Sequence, residues 1–315
     1  MLTDNKNNMW SAFTKYIMTY ASQRDDFILL ATEKAKESTL VKNISDDKKF
    51  LPMPSNKDLI LAAAGLALSG KRPWIIAESA DILVSGYAEI RNVLAFSSLP
   101  VSIAVANAGL AMPNDGAMSN ILEDVSLMRT IPGMNVLVPS TPCFFDEKNS
   151  VLCSYKGPVY IKLSTEDKQD ENAINIGDVH HGGSRILSTG SDVTICACGN
   201  MVEEALKASK VLLERGISSE IIDCYRIKPF SERFLLASVR KTGCCVVTEE
   251  HSVIGGLFAA VSSCLSQTYP VPVRFVAVDE QVVSAGNLDE VREYYGLTWR
   301  EIVNAATQVY ALRRR

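Results

Sequence analysis

Proton transfer needs titratable side chains held close together, and this sequence offers few places where that can happen. Its three histidines are His180, His181 and His251. The first two lie in a polar, Asn-containing stretch and read as solvated. His251 closes the run Glu249, Glu250, His251 at the end of an apolar segment, just ahead of Gly255 and Gly256. Strand ends of this kind hold ligands in α/β folds, yet a packed structural histidine is the plainer reading. The glycine pair fits close packing of helix on sheet, because the Gly-rich dinucleotide pattern is missing. Glu123 and Asp124 open a helical pattern, where acids stabilise free amides and the helix dipole, so a capping role stands beside a catalytic one. Cys196 and Cys198 are separated by one residue and Cys244 and Cys245 are adjacent, neither of which is the spacing of a zinc site. No metal site is expected.

Composition narrows the class further. The 315 residues are 47% hydrophobic and 22% charged, with 18 Gly and 12 Pro scattered along the chain, which excludes collagen, coiled coil and low-complexity readings. That length suits two domains, each with its own core. The formal charge is −4, so no global positive field favours nucleic acid or anionic lipid. The apolar run Ile60 to Leu68 is nine residues, short of the roughly 20 that span a bilayer, and residues 1–8 lack an apolar signal region. A cytosolic protein is expected, with most of its eight cysteines packed as small hydrophobes.

Periodicity places these residues on elements. Helical spacing runs from Trp10 to Arg24, Lys57 to Leu68, Tyr87 to Ser97 and Glu123 to Ile131, with a further helix after Pro142. Short apolar strands alternate with them at Phe27 to Ala31, Trp74 to Ala77, Val101 to Ala106, Asn135 to Val138 and Val159 to Leu163. This alternation predicts a largely parallel sheet covered on both faces. Thr165 to Asp178 has no apolar period and reads as a domain connection. Beyond it, strands at Val193 to Ala197, Ser219 to Cys224, Cys245 to Thr248 and Val273 to Val278 alternate with helices from Val202, Ser231 and Leu257. Two short helices, split at Gly296 to Thr298, end the pattern. The fold class is α/β, with domains at residues 8–170 and 188–315.

Several segments resemble one family in order. Ala62 to Pro73, Asp115 with Gly116, and Glu123 to Met134 are similar to the pyrimidine-binding domain of transketolases. Gly157 to Lys162, Asp192 to Ile195, Ile227 to Pro229 and Glu249 to Gly256 continue the resemblance through the transketolase C-terminal domain. The Gly-Asp-Gly motif of the family's N-terminal domain is missing. The resemblance therefore implies the C-terminal subunit of a split transketolase-like enzyme, inactive alone. It also implies a diphosphate-binding partner subunit that brings Mg²⁺, self-association about a two-fold axis, and thiamine diphosphate at the subunit interface.

The family's site residues carry over with changes. Asn56 stands where transketolases place the Glu that drives the cofactor's pyrimidine ring, and an amide cannot exchange that proton. Asp58 lies about 200° further around a helix of 3.6 residues per turn, so it is a poor replacement. Glu78 and Asp81 replace two aromatics that enclose the aminopyrimidine, exchanging stacking surface for carboxylates. Asn107 and Ser119 replace two substrate-contacting histidines, whereas Asp115 matches the Asp that contacts the donor sugar. Lys162 falls near a phosphate-binding Arg and is expected to attract a sugar phosphate as a point charge. Two functions follow. In one, Glu78 or Asp81 takes over proton transfer and the subunit serves transfer of a two-carbon ketol or acyl unit. In the other, fold and interface persist in a structural or regulatory subunit without thiamine chemistry.

Overall fold

The fold is seen in a computed structural model that describes residues 8–33, 39–44, 49–111, 120–145, 152, 155–164, 166, 182–279 and 286–313. In the first domain, α1 (Met9–Ser22) is followed by β1 (Phe27–Thr32), α2 (Thr39–Ile44) and β2 (Phe50–Met53). Next come α3 (Asn56–Leu68), β3 (Arg72–Ser79), α4 (Asp81–Ser85) and α5 (Tyr87–Glu89), which runs into a π-helical turn at Ile90–Ala95. β4 (Ser102–Asn107), α6 (Asp124–Thr130), β5 (Asn135–Leu137), a 3₁₀ turn at Pro142–Phe145 and β6 (Val159–Lys162) complete it. The second domain contains β7 (Arg185–Ser188), β8 (Val193–Ala197), α7 (Met201–Glu214), β9 (Ser219–Asp223) and β10 (Arg226–Lys228). It continues with α8 (Glu232–Thr242), β11 (Cys245–Ser252), α9 (Leu257–Thr268), β12 (Val273–Val278), α10 (Leu288–Tyr294) and α11 (Trp299–Ala311).

Seven strands form the first sheet, in the order β10-β5-β6-β4-β3-β1-β2, and five form the second, in the order β12-β11-β8-β9-β7. All pairings are parallel except β10 with β5 and β7 with β9. Parallel strands buried on both faces read as continuous apolar runs, which is what β4, β6 and β8 show. α1 starts where the Asn8 side chain accepts the Ser11 amide at 2.8 Å, and its apolar face buries Trp10, Phe13 and Ile17 against one side of the first sheet. On the opposite side, α3 and the turns after it pack into a core that runs without a break into the second domain beneath α8 and α9. The outer face of the second sheet is closed by α7 and α11.

Three stretches take a form other than the one expected, and α2, α4, β2, β7 and β10 are elements that the sequence reading does not contain. The segment Tyr87 to Ser97, expected as a helix, winds as a short α-turn followed by a π-turn. Pro142 opens a 3₁₀ turn, and β11 continues past Thr248 to Ser252. That extension carries Glu249, Glu250 and His251 on the strand itself.

Candidate functional site

Parallel pairing brings the expected site residues to one edge of the first sheet. Ser79, next to Glu78, lies opposite Asn107, and Val105 lies opposite Lys162, so the carboxyl ends of β3, β4 and β6 stand side by side. α3 begins just beyond this edge. Ser55 caps it, taking the Asp58 amide at 3.2 Å and donating its hydroxyl to the Asp58 carboxylate at 2.6 Å. Asp58 is thus engaged in the cap. Asn56, the first residue of α3, donates its amide to Asp81 Oδ2 at 2.8 Å and to Ser85 Oγ at 3.2 Å. Ser85 Oγ in turn donates to the Asp81 carbonyl at 2.8 Å. Two of the carried-over positions, 25 residues apart in sequence, therefore touch. Glu78 is exposed at the end of β3, and Asn107 is half-buried. Asp115 and Ser119 lie outside the described residues, as do His180 and His181.

Lys162 belongs to a second, buried cluster between the domains. Its Nζ donates to Asp124 Oδ1 at 3.1 Å and to the Glu250 carbonyl at 3.0 Å. Asp124 has no solvent exposure and also accepts a short hydrogen bond from the Tyr160 hydroxyl. Its carboxylate therefore ties α6 to β6 rather than capping its own helix, and Glu123 makes no cap bond either. Glu250 accepts the Leu110 amide at 3.1 Å and pairs with Arg292, whose other face grips Glu166 through two bonds of 2.6 Å. His251 Nε2 accepts the Ser126 amide at 3.2 Å, so its proton sits on Nδ1, which donates to the Ser252 carbonyl at 2.6 Å. Both ring nitrogens are thus hydrogen-bonded, as those of a structural histidine should be.

Burial and charge compete throughout this cluster. Burial acts to lower the Lys162 ammonium, but Asp124 and Glu250 outweigh it and hold the ammonium above its ordinary value. Burial likewise acts to raise the Glu250 carboxyl, while Arg292 and Lys162 hold it below the usual carboxylate range. Tyr160 is pushed well up by burial and by the Asp124 charge. The adjoining crevice, lined by Lys162, Ser164, Cys198, Asn200 and Glu249 among others, has about 20 Å³ of interior space, enough for one water molecule. Lys162 is thus a buried, neutralised cation rather than one presented to an anion in solution.

The glycine pair has a steric reason. A Cβ on Gly256 would lie 2.1 Å from Glu249 Oε2, whose carboxylate accepts the amides of Leu257 at 2.6 Å and Phe258 at 2.8 Å. Glu249 therefore caps α9. Arg129 holds the Gly255 and Gly256 carbonyls from α6. Among the described residues, no three His, Cys, Asp or Glu side chains gather as metal ligands do, and no helix is long and apolar enough to cross a membrane.

The sequence reading misses the partners Tyr160, Glu250, Arg292 and Glu166. One signal is available: a lysine ending the otherwise apolar strand Val159 to Lys162 needs a buried counter-charge.

Two α/β domains sharing one core, with polar side chains gathered at the carboxyl ends of parallel strands, define a two-domain α/β protein. Residues 8–167 match the transketolase pyrimidine-binding domain and residues 182–302 the transketolase C-terminal domain, and the chain belongs to the transketolase family. It is 33% identical over 306 residues to the 6-deoxy-6-sulfo-D-fructose transketolase subunit SqwH of Clostridium sp. (strain MSTE9), covering 94% of this chain and 92% of that one. It is 30% identical to a subunit of the apulose-4-phosphate transketolase of Phocaeicola vulgatus, covering 96% and 98%. A solved structure described as a split gene transketolase, inactive beta4 tetramer, superposes with a TM-score of 0.88 at 32% identity, covering 98% of this chain and all of that one. The chain is a transketolase-like C-terminal subunit of the split type.

Proposed function

We propose that this subunit transfers a two-carbon ketol unit, or an acyl unit, together with an N-terminal diphosphate-binding partner, and holds the pyrimidine end of thiamine diphosphate at their interface. The observation that carries this reading is α3. From Leu59 to Leu68 it has no polar side chain, and a helix apolar all round belongs in a buried position. Yet Leu61 is 49% exposed, Leu68 is 74% exposed, and no described residue lies within 4 Å of a Cβ built on Gly65. This open apolar face follows Lys57 and Asp58 along α3, while Asn56 begins the buried side with Ile60 and Ala63, so a partner covering the face would lie beside the candidate site. Asp81 lies within one hydrogen bond of Asn56, the position where the family has a Glu, which supports a pyrimidine site whose carboxylate is displaced.

Thiamine diphosphate, when bound, supplies an electron sink for breaking a carbon–carbon bond beside a ketone. The diphosphate and Mg²⁺ would rest on the partner. Glu78 and Asp81 would border the ring, and Asn107, Asp115 and Ser119 would face the substrate. With its charge taken up by Asp124, Lys162 would shape the floor of the site, leaving the anionic group of a sugar phosphate or related substrate to other groups. The similarity to a tetramer built from one kind of subunit supports self-association about a two-fold axis in addition to pairing with the partner. The free thiols support a reducing, cytosolic setting.

The test is reconstitution. This chain and its diphosphate-binding partner subunit should co-elute as one complex, bind thiamine diphosphate with Mg²⁺ in a calorimeter, and transfer a two-carbon unit only when mixed. An intact complex that binds no cofactor would leave only the structural-subunit function.

A further inference from the structure

Asn56 and Asp81 divide between them the work that a single carboxylate does elsewhere in the family. We infer that Asp81 is the proton-exchanging carboxylate of this subunit, and that Asn56 is a positioning residue that holds it. The inference rests on the proposed thiamine-dependent reading and assigns roles within that same site.

Geometry selects Asp81 from the three carboxylates available. Asp58 is occupied by the Ser55 hydroxyl at 2.6 Å and points into the helix cap. Glu78 and Asp81 are both exposed, but the Glu78 carboxylate has no hydrogen bond or ion pair to a described residue that would fix its position. Asp81 is held from two sides. Its Oδ2 accepts Asn56 Nδ2 at 2.8 Å, and its backbone amide donates to Ser79 Oγ at 3.2 Å. Ser85, one turn further along α4, bonds both to the Asn56 amide and to the Asp81 carbonyl. Asp81 Oδ1 carries no hydrogen bond to a described residue and remains open for a ligand.

An amide suits the holding role. Asn56 Nδ2 has two protons and no acid–base function near neutral pH, so it can donate to a carboxylate without competing for its proton. Holding one oxygen restricts the side chain's rotamers and leaves the other without a hydrogen bond to a described residue. The proton step is self-contained. With the cofactor bound, the Asp81 carboxylate would hold a proton, taken from solvent water and returned to it, against the pyrimidine ring nitrogen, so nothing would be oxidised or reduced and no co-reactant consumed.

The experiment uses the reconstituted two-subunit complex, with thiamine diphosphate and Mg²⁺ as the probe. Cofactor affinity is read by calorimetry, and hydrogen–deuterium exchange at the thiazolium carbon is read by NMR without any substrate. Asp81→Asn should slow that exchange at least about 100-fold, the scale of a lost general acid–base group. Asn56→Ala should weaken cofactor binding and slow exchange less than Asp81→Asn does. The double variant Asp81→Asn with Asn56→Glu should regain exchange, because it moves the carboxylate back onto α3.

Exchange in Asp81→Asn within twofold of the parent, in an intact cofactor-loaded complex, overturns the assignment. So does loss of exchange in Glu78→Gln with Asp81→Asn unaffected. A parent complex that assembles but takes up no cofactor overturns the thiamine reading itself, an outcome distinct from the other two because it requires no variant. The rescue by Asn56→Glu separates loss of chemistry from loss of fold.

Discussion

At the scale of single residues, the buried cluster between the domains governs stability more than chemistry. Lys162→Met would strand the Asp124 carboxylate, which has no solvent exposure, with Tyr160 as its remaining side-chain donor. Breaking a buried pair from one side costs about 3–5 kcal/mol, and a urea titration should show a loss of that size. Adding Asp124→Asn to the same chain should recover part of it, since the uncompensated charge is then gone. Glu250 gives a pH signature. Its folded-state carboxyl is depressed below the unfolded value of about 4.3, so its contribution is fully present above that pH and lost as the pH falls through the folded value. Acid unfolding followed by circular dichroism should therefore be less steep in Glu250→Gln than in the parent. Asn56, Glu78 and Asp81 are found through the resemblance to the family, but the contact between Asn56 and Asp81 is not. Asn56 and Asp81 meet only because α3, β3 and α4 fold back on one another, and no short-range pattern records that.

At the scale of elements, α3 is the clearest case of a sequence that exceeds the needs of its own chain. Gly65 in a helix interior is destabilising by about 1 kcal/mol relative to Ala, and no described residue occupies the space above it. Gly65→Ala should raise the stability of the isolated subunit by about that amount in thermal unfolding. In the proposed complex the same substitution should weaken association, measured by calorimetric titration of one subunit into the other, if a partner's backbone approaches at that point.

The elements with a local signal are legible in the sequence: β4, β6 and β8 are buried along almost their whole length, and α7 and α11 carry clear helical stripes. The strands that escape are short and half-exposed. β2, β7 and β10 span four, four and three residues, respectively, and take their extended form from a neighbouring strand rather than from their own pattern. The π-turn after α5 reads as a plain helix for a related reason, since an apolar period cannot distinguish winding by five residues from winding by four.

At the scale of the whole molecule, the two domains are interlocked rather than strung together. β10, from the second domain, pairs with β5 in the first sheet through Arg226 and Leu137. Lys228 reaches back to the Arg129 carbonyl at 2.7 Å, and Arg129 returns the contact to Gly256 at 2.7 Å. One hydrophobic cluster runs through both halves. Calorimetric unfolding should accordingly show one transition, and two resolved transitions would contradict this coupling.

The crossing of β10 also sets a timetable for synthesis. Leu137 leaves the ribosome 89 residues ahead of its partner Arg226, so the edge of β5 stays open while the rest is made. At the usual elongation rate of about 5–20 residues per second, that interval is roughly 4–18 s. During it the nascent first half carries a raw sheet margin and an oily helix at once. Such a chain is a natural client for a ribosome-associated chaperone, and one whose yield should be sensitive to how fast that stretch is translated.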